Sequence, residues 1–207
     1  MVSKIKVDEI EASQGSNITF NHTAKVDIIS EKTSAAGVTI DGLLIKDGAI
    51  PSIAGGLTVA DQYDITSNIT STQTVITNWA RPTGTLQGNL GSGITETSGI
   101  FSFPSTGYYL VNFYATLFIT TGSPGYMQIK LFSTNDDFAT EDTLWNIAVS
   151  TPSNQAHMGE KSVILDITDV SNQKIKLTVP VETGTCSIAG STTETRSAIQ
   201  FYKLGDT

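Results

Sequence analysis

Aromatic side chains are spread unevenly along this chain of 207 residues, and that unevenness limits what it can fold into. Phe20 is the only aromatic among residues 1–60. Both Trp, all six Tyr and the other seven Phe lie in residues 61–207. Aromatic rings supply the largest units of buried area, so a core can be built only in the second stretch. The first is too thin in bulk to fold alone and needs partner chains to cover its apolar residues. The expected organisation is therefore a stem-like segment over 1–60, then a head over 61–207, with a neck near 49–62.

Composition decides the class of both parts. Thr (30), Ser (21) and Gly (18) make up a third of the chain, while charged residues are only 15%. Such residues are weak helix formers and suit short strands joined by tight turns. An all-β protein is expected. Net charge is −8 with only 12 Lys and Arg. Nucleic acid binding needs cations to displace phosphate counterions, and anionic lipid surfaces make the same demand, so neither partner is expected. No apolar run has the length of a membrane span, and residues 1–20 lack the apolar stretch of a signal peptide. Cys186 is the only cysteine, which excludes an intrachain disulfide. With His22 and His157 as the only histidines, no cofactor is expected.

In the first part, Ile5 and Val7, Ile18 and Phe20, Val26 and Ile28, and Val38 and Ile40 alternate with polar residues. Asp41-Gly42 and Asp47-Gly48 supply turns that need positive φ. Strands this short imply the steps of a stem in which three chains cover one another's edges. Ile5, Val7 and Ile10 lie among Lys4, Lys6, Asp8 and Glu9. A short strand of this kind can add to the sheet edge of a neighbouring protein, so Ile5, Val7 and Ile10 are the candidate attachment residues.

In the second part, about nine apolar segments near 73–79, 94–103, 107–120, 125–132, 143–149, 160–168, 174–181, 184–189 and 195–204 suit a β-sandwich. The segment 107–120 is the most telling. Its odd positions Tyr109, Val111, Phe113, Ala115, Leu117 and Ile119 are all apolar. Its even positions include Tyr108, Leu110, Tyr114 and Phe118. A half-buried strand has one polar face; here the second face must meet either covering loops or another subunit. Interface cores enrich Tyr and Phe, so Tyr108, Leu110, Tyr114 and Phe118 are assigned to a subunit interface.

These residues carry a resemblance. Gly99-Ile100-Phe101-Ser102-Phe103-Pro104-Ser105-Thr106-Gly107-Tyr108-Tyr109-Leu110-Val111 resembles the early strand pair of the jelly-roll heads of the complement-q and tumour-necrosis-factor superfamily. Residues 162–167 followed by 174–179 are similar to its late strand pair, and 197–204 to its closing strand. Val170-Ser171-Asn172-Gln173 departs from the usual Gly-Asp turn. The resemblance implies a jelly-roll head that trimerises, with Phe201 of the closing strand in the trimer core. Residues 25–48 resemble a segment of virion structural proteins of marine tailed phages, cyanophages included. That implies a homotrimeric, non-enzymatic fibre or knob on a virion, contacting other virion proteins through its N-terminal segment. Head loops would contact a host surface glycan or protein. A capsid decoration trimer is the alternative, and a glycan-cleaving enzyme a more distant one, since that chemistry needs paired carboxylates in a cleft.

Other candidate sites have plainer readings beside them. Asn135, Asp136, Asp137, Glu141 and Asp142 form an acidic stretch that either binds calcium or makes a solvated hairpin tip. His22 either meets two symmetry mates around a metal on a stem axis or faces solvent. His157 reads as a surface residue. Trp79 and Trp145 either stack on sugars or pack in the core. Cys186 reads as a buried thiol with no base beside it. Sequons at Asn17, Asn21 and Asn68 read as chance matches in a Thr-rich chain.

Overall fold

The computed structural model describes residues 38–40, 43–45, 56–119, 125–151, 155–183 and 186–207. The chain divides between Ile53 and Ala54 into two units. In the first, β1 (Val38–Ile40) and β2 (Leu43–Ile45) pair antiparallel with Ile40 opposite Leu43, so two residues, Asp41 and Gly42, separate them. The proposed attachment residues Ile5, Val7 and Ile10, and His22, lie outside the described residues.

The second unit is a sandwich of two antiparallel sheets, with no helix among the described residues. The first sheet runs in the order β10 (Ala156–Ile167), β7 (Gly107–Ile119), β13 (Ala198–Gly205), β3 (Ala60–Ile65), β4 (Trp79–Ala80). A short β12 (Cys186–Ile188) pairs with the end of β7. The second sheet runs β5 (Thr95–Thr97), β6 (Ile100–Ser102), β11 (Lys174–Thr183), β8 (Gly125–Thr134), β9 (Asp142–Thr151). The closing strand β13 lies between β7 and β3, and β11 lies between β6 and β8. These crossovers between sheets make the sandwich a jelly roll.

Period-two alternation builds the core. Tyr109, Val111, Phe113, Ala115 and Leu117 of β7 point inward and are shielded from solvent, as their odd positions require. Met127, Ile129 and Leu131 of β8, and Ile175, Leu177 and Val179 of β11, meet them from the other sheet. Phe101 sits at the centre, its ring 5.4 Å from Tyr63, 5.5 Å from Trp79 and 5.3 Å from Phe201. The apolar segment 94–103 is two strands rather than one. Ser98 and Gly99 between them both have positive φ, 52° and 85°, the pattern of a type I′ turn. A Cβ on Gly99 would lie 2.3 Å from the Ile76 carbonyl oxygen, so only glycine fits there. Pro180 falls where the β11–β8 register shifts between Thr178 and Val181, the bulge that tolerates a residue without an N–H.

The head also begins earlier than residue 61. Val59 is buried in the core, its carbonyl accepts from the Lys203 N–H, and Ala60 opens β3. Asp61 of β3 turns inward but is fully partnered. Its two oxygens accept from Arg81 Nε at 3.0 Å and Nη2 at 2.7 Å, from the Ile94 N–H at 2.7 Å and from the Gln62 N–H at 2.9 Å. Several donors on one carboxylate are what a buried charge needs to be tolerated.

Candidate interaction face

The outer face of the first sheet is the most distinctive surface of the head. The register lays its side chains in rows across β10, β7, β13 and β3. Ile164, Leu110, Tyr202 and Ala60 make an apolar row. Ser162, Asn112, Gln200 and Gln62 make a polar one. Glu160, Tyr114, Ala198 and Asp64 follow. Tyr108 stands beyond the first row, and Met158 and Phe118 beyond the last. Of these, Met158 is 72% exposed, Ile164 61% and Tyr108 43%. These large apolar side chains are left to water on one face, with the rows of Ser162 and Glu160 between Ile164 and Met158.

The four β7 residues assigned to an interface, Tyr108, Leu110, Tyr114 and Phe118, all lie on this face. Phe201 does not. It occupies the opposite side of β13, wholly buried between the sheets against Phe101 and Phe103. The closing strand does run through this sheet, but its outward residues are Gln200 and Tyr202. A one-residue step along a strand exchanges the faces. Met158 and Ile164 were missed because β10 carries Glu160, Lys161, Ser162 and Asp166 among them, which breaks the apolar signal.

Hydrogen bonds organise the polar rows. Gln200 Nε2 donates to Gln62 Oε1 at 2.8 Å, and Gln62 Nε2 donates to Asp64 Oδ1 at 2.7 Å. Thr195 Oγ1 donates to Asp64 Oδ2 at 2.6 Å. Burial pushes the Tyr114 hydroxyl above its ordinary value, with the Asp64 charge and Tyr202 adding to it. Tyr63 is also raised by burial, against the pull of Arg81. A tyrosine whose folded value is raised contributes stability that is intact below its unfolded value, about 10, and lost as pH rises through the folded one. Absorbance titration should therefore show at least two of the six tyrosines ionising late, with the melting temperature falling only in that alkaline range. Ionisation of all six in one step near pH 10, with the protein still folded, would refute this.

The remaining sequence candidates settle into structural roles. Asp136 accepts from Thr140 Oγ1 at 2.7 Å and from Thr134 Oγ1 at 2.7 Å, and these bonds hold its carboxyl below the usual value, Thr140 contributing most. Asp137 pairs with Lys174 and Glu141 with Lys176. The acidic stretch is thus a self-capped hairpin tip between β8 and β9. Among the described residues no three His, Cys, Asp or Glu side chains gather as a metal would require. Trp79 is buried and donates Nε1 to the Ile76 carbonyl at 2.7 Å, while Trp145 stacks on Phe113 at 5.6 Å. Both pack within the head. Cys186 is buried, and burial raises its thiol, the reverse of an activated nucleophile. His157 is exposed on β10. Ser105 Oγ lies 3.2 Å from Lys203 Nζ, which also donates to Asp206 at 2.5 Å. Lys203 is thus held in an ion pair with Asp206 rather than aimed at the serine alone.

No family model matches the chain, and comparison with curated proteins finds no match. Solved structures do match. The Eiger tumour necrosis factor of S. frugiperda aligns at a TM-score of 0.53 and 16% identity, over 73% of this chain and 95% of that one. Murine APRIL at pH 5.0 aligns at 0.50 and 16%, over 70% and 98%. The globular domain of zebrafish complement 1qA aligns at 0.47 and 11%, over 71% and 99%. At these identities the first two alignments show a likeness of fold alone: the head is a jelly roll, the architecture that the stretch from Gly99 to Val111 implies.

Proposed function

We propose that this chain is a non-enzymatic virion structural protein, a short homotrimeric fibre or knob that presents its jelly-roll heads to a host surface. The observation that carries the reading is the outer face of the first sheet, where Tyr108, Met158 and Ile164 stand exposed beside Leu110, Tyr114 and Phe118. A second and third copy covering that face would remove these side chains from water. Three heads displayed together multiply a weak contact by avidity. The stem resemblance over residues 25–48 supports the virion setting, and the N-terminal segment with Ile5, Val7 and Ile10 would be the anchor to other virion proteins. A capsid decoration trimer uses the same parts in another place on the particle, and the short stem favours it.

Light scattering tests the assembly first. The purified protein should have a mass about three times 22.0 kDa. A stable monomer at micromolar concentration would sink the reading. Removing residues 1–20 should leave the trimer folded and abolish its incorporation into particles. Normal incorporation of the truncated trimer would place the anchor in the head or neck instead. Imaging labelled particles then separates tail from capsid.

A further inference from the structure

We propose that a cleft at the β3–β4 edge of the head is a saccharide site that takes neutral or amino sugars and rejects anionic ones. It is bounded by the segment 80–87 on one side and by residues 191–195 on the other, and its volume is about 590 Å³. That is within the range of small-molecule sites.

The floor carries the argument. Asp64 is only 6% exposed, yet among the described residues no Lys, Arg or His pairs with it. Its partners are neutral, Gln62 and Thr195. Buried carboxylates are ordinarily paired with a cation. An ionised carboxylate has about four acceptor positions, so Asp64, which lines the cleft, keeps acceptor capacity beyond these two bonds. The other walls supply hydroxyls from Thr66, Thr83, Thr192 and Thr193, with Ala80 and Pro82 as a small apolar patch. Hydroxyls, a carboxylate able to bridge neighbouring ligand hydroxyls, and a little apolar surface for C–H groups are complementary to a sugar. Arg81 also lines the cleft, but its charge is neutralised by Asp61 and that of Glu194 by Arg196, so Asp64 is the carboxylate of the cleft that has no cationic partner among the described residues. The field in the cleft therefore opposes an anion and favours an ammonium.

The walls are preorganised. Gln87 N–H donates to the Gly84 carbonyl at 2.9 Å, and Gly84 N–H donates back to Gln87 Oε1 at 3.0 Å. Opposite, Ser191 N–H donates to the Ile65 carbonyl at 2.9 Å and Gly190 N–H to Asn68 Oδ1 at 3.0 Å. A Cβ on Gly190 would fall 2.4 Å from the Ser67 carbonyl oxygen, so this loop is pressed directly onto the segment that follows β3. A rigid site loses less entropy on binding. Two carboxylates share the cleft, as a glycosidase requires. Both Asp64 oxygens already accept hydrogen bonds, however, and Glu194 is paired with Arg196, so neither is poised to protonate a leaving oxygen. The site binds and does not cut.

The biological use of this site rests on the host-binding reading, but its chemistry can be tested alone. Saturation-transfer NMR on the full chain would compare cellobiose, chitobiose and digalacturonate at about 10 mM, enough to fill a site with Kd near 1 mM. Transfer is expected to cellobiose and chitobiose and at least about tenfold weaker binding to digalacturonate, since one unfavourable charge contact of that size is ordinary. Thr192→Trp, which fills the cleft from an exposed position, should abolish transfer without changing the melting temperature. Asp64→Asn should weaken chitobiose more than cellobiose. No transfer to either sugar, equal binding of digalacturonate, transfer that survives Thr192→Trp, or release of reducing ends would each overturn the proposal. Sugar binding by a protein that fails to adsorb to cells would defeat the host-binding reading and leave the site standing.

Discussion

Phe101→Ala is expected to destabilise the head by about 3–5 kcal/mol, the usual cost of emptying an aromatic site in a packed core. Phe101 belongs to the second sheet, but its ring touches Tyr63 of β3, Trp79 of β4 and Phe201 of β13, all from the first. It therefore joins the two sheets at the point where the closing strand crosses. Its neighbours cannot collapse into the gap, because each is held elsewhere. Tyr63 donates its hydroxyl to the Ile94 carbonyl at 2.7 Å, and Trp79 is fixed through its indole N–H. With domains of this size stable by about 5–15 kcal/mol, the loss would take much of the margin. Urea unfolding should show a lower midpoint at an unchanged slope. Phe101→Leu, which keeps most of the volume, should cost clearly less. A shift below about 1 kcal/mol for the alanine variant would show that Phe101 is not the junction of the two sheets.

The parts of this fold that could be read from the sequence are those where one face alone determines the residue type. The strand from Gly107 to Ile119 is the clearest example: its odd residues from Tyr109 to Leu117 are in the core, and its even residues lie on the outer face. β3 could not be read that way. In Ala60-Asp61-Gln62-Tyr63-Asp64-Ile65 both faces carry acids, because Asp61 is buried against Arg81 and Asp64 against Gln62 and Thr195. Arg81 and Thr195 are distant in sequence, so the segment itself carries no sign of the partners that let its acids be buried. Phe201 shows a different limit. Its strand was identified, but an aromatic at a strand centre is compatible with either face, and only the pairing of Phe201 with Val111 places it inside. The cleft was not legible at all, since its walls are more than a hundred residues apart in the chain and none of its residues forms a motif.

Ile164→Lys combined with Met158→Lys is expected to convert the proposed trimer into a folded monomer. Both side chains are more than half exposed in the single chain, so the change removes little from its own core. Surface substitutions of that kind usually stay within about 0.5 kcal/mol. In the proposed trimer the same positions lie under a neighbouring subunit, and an unpaired ammonium buried there costs several kcal/mol. Threefold symmetry repeats that cost at every interface, so the total is on the order of 10 kcal/mol, enough to dissociate a micromolar assembly. Light scattering should fall to about 22.0 kDa while β-sheet circular dichroism and cooperative melting persist. Tyr108→Lys on β7 should act in the same direction with a smaller effect, being already partly covered within its own chain. If the double variant kept the trimer mass, the exposed apolar rows of the first sheet would not be the assembly surface. Trimerisation would then have to come from the stem, and the outer face would be free for a different partner.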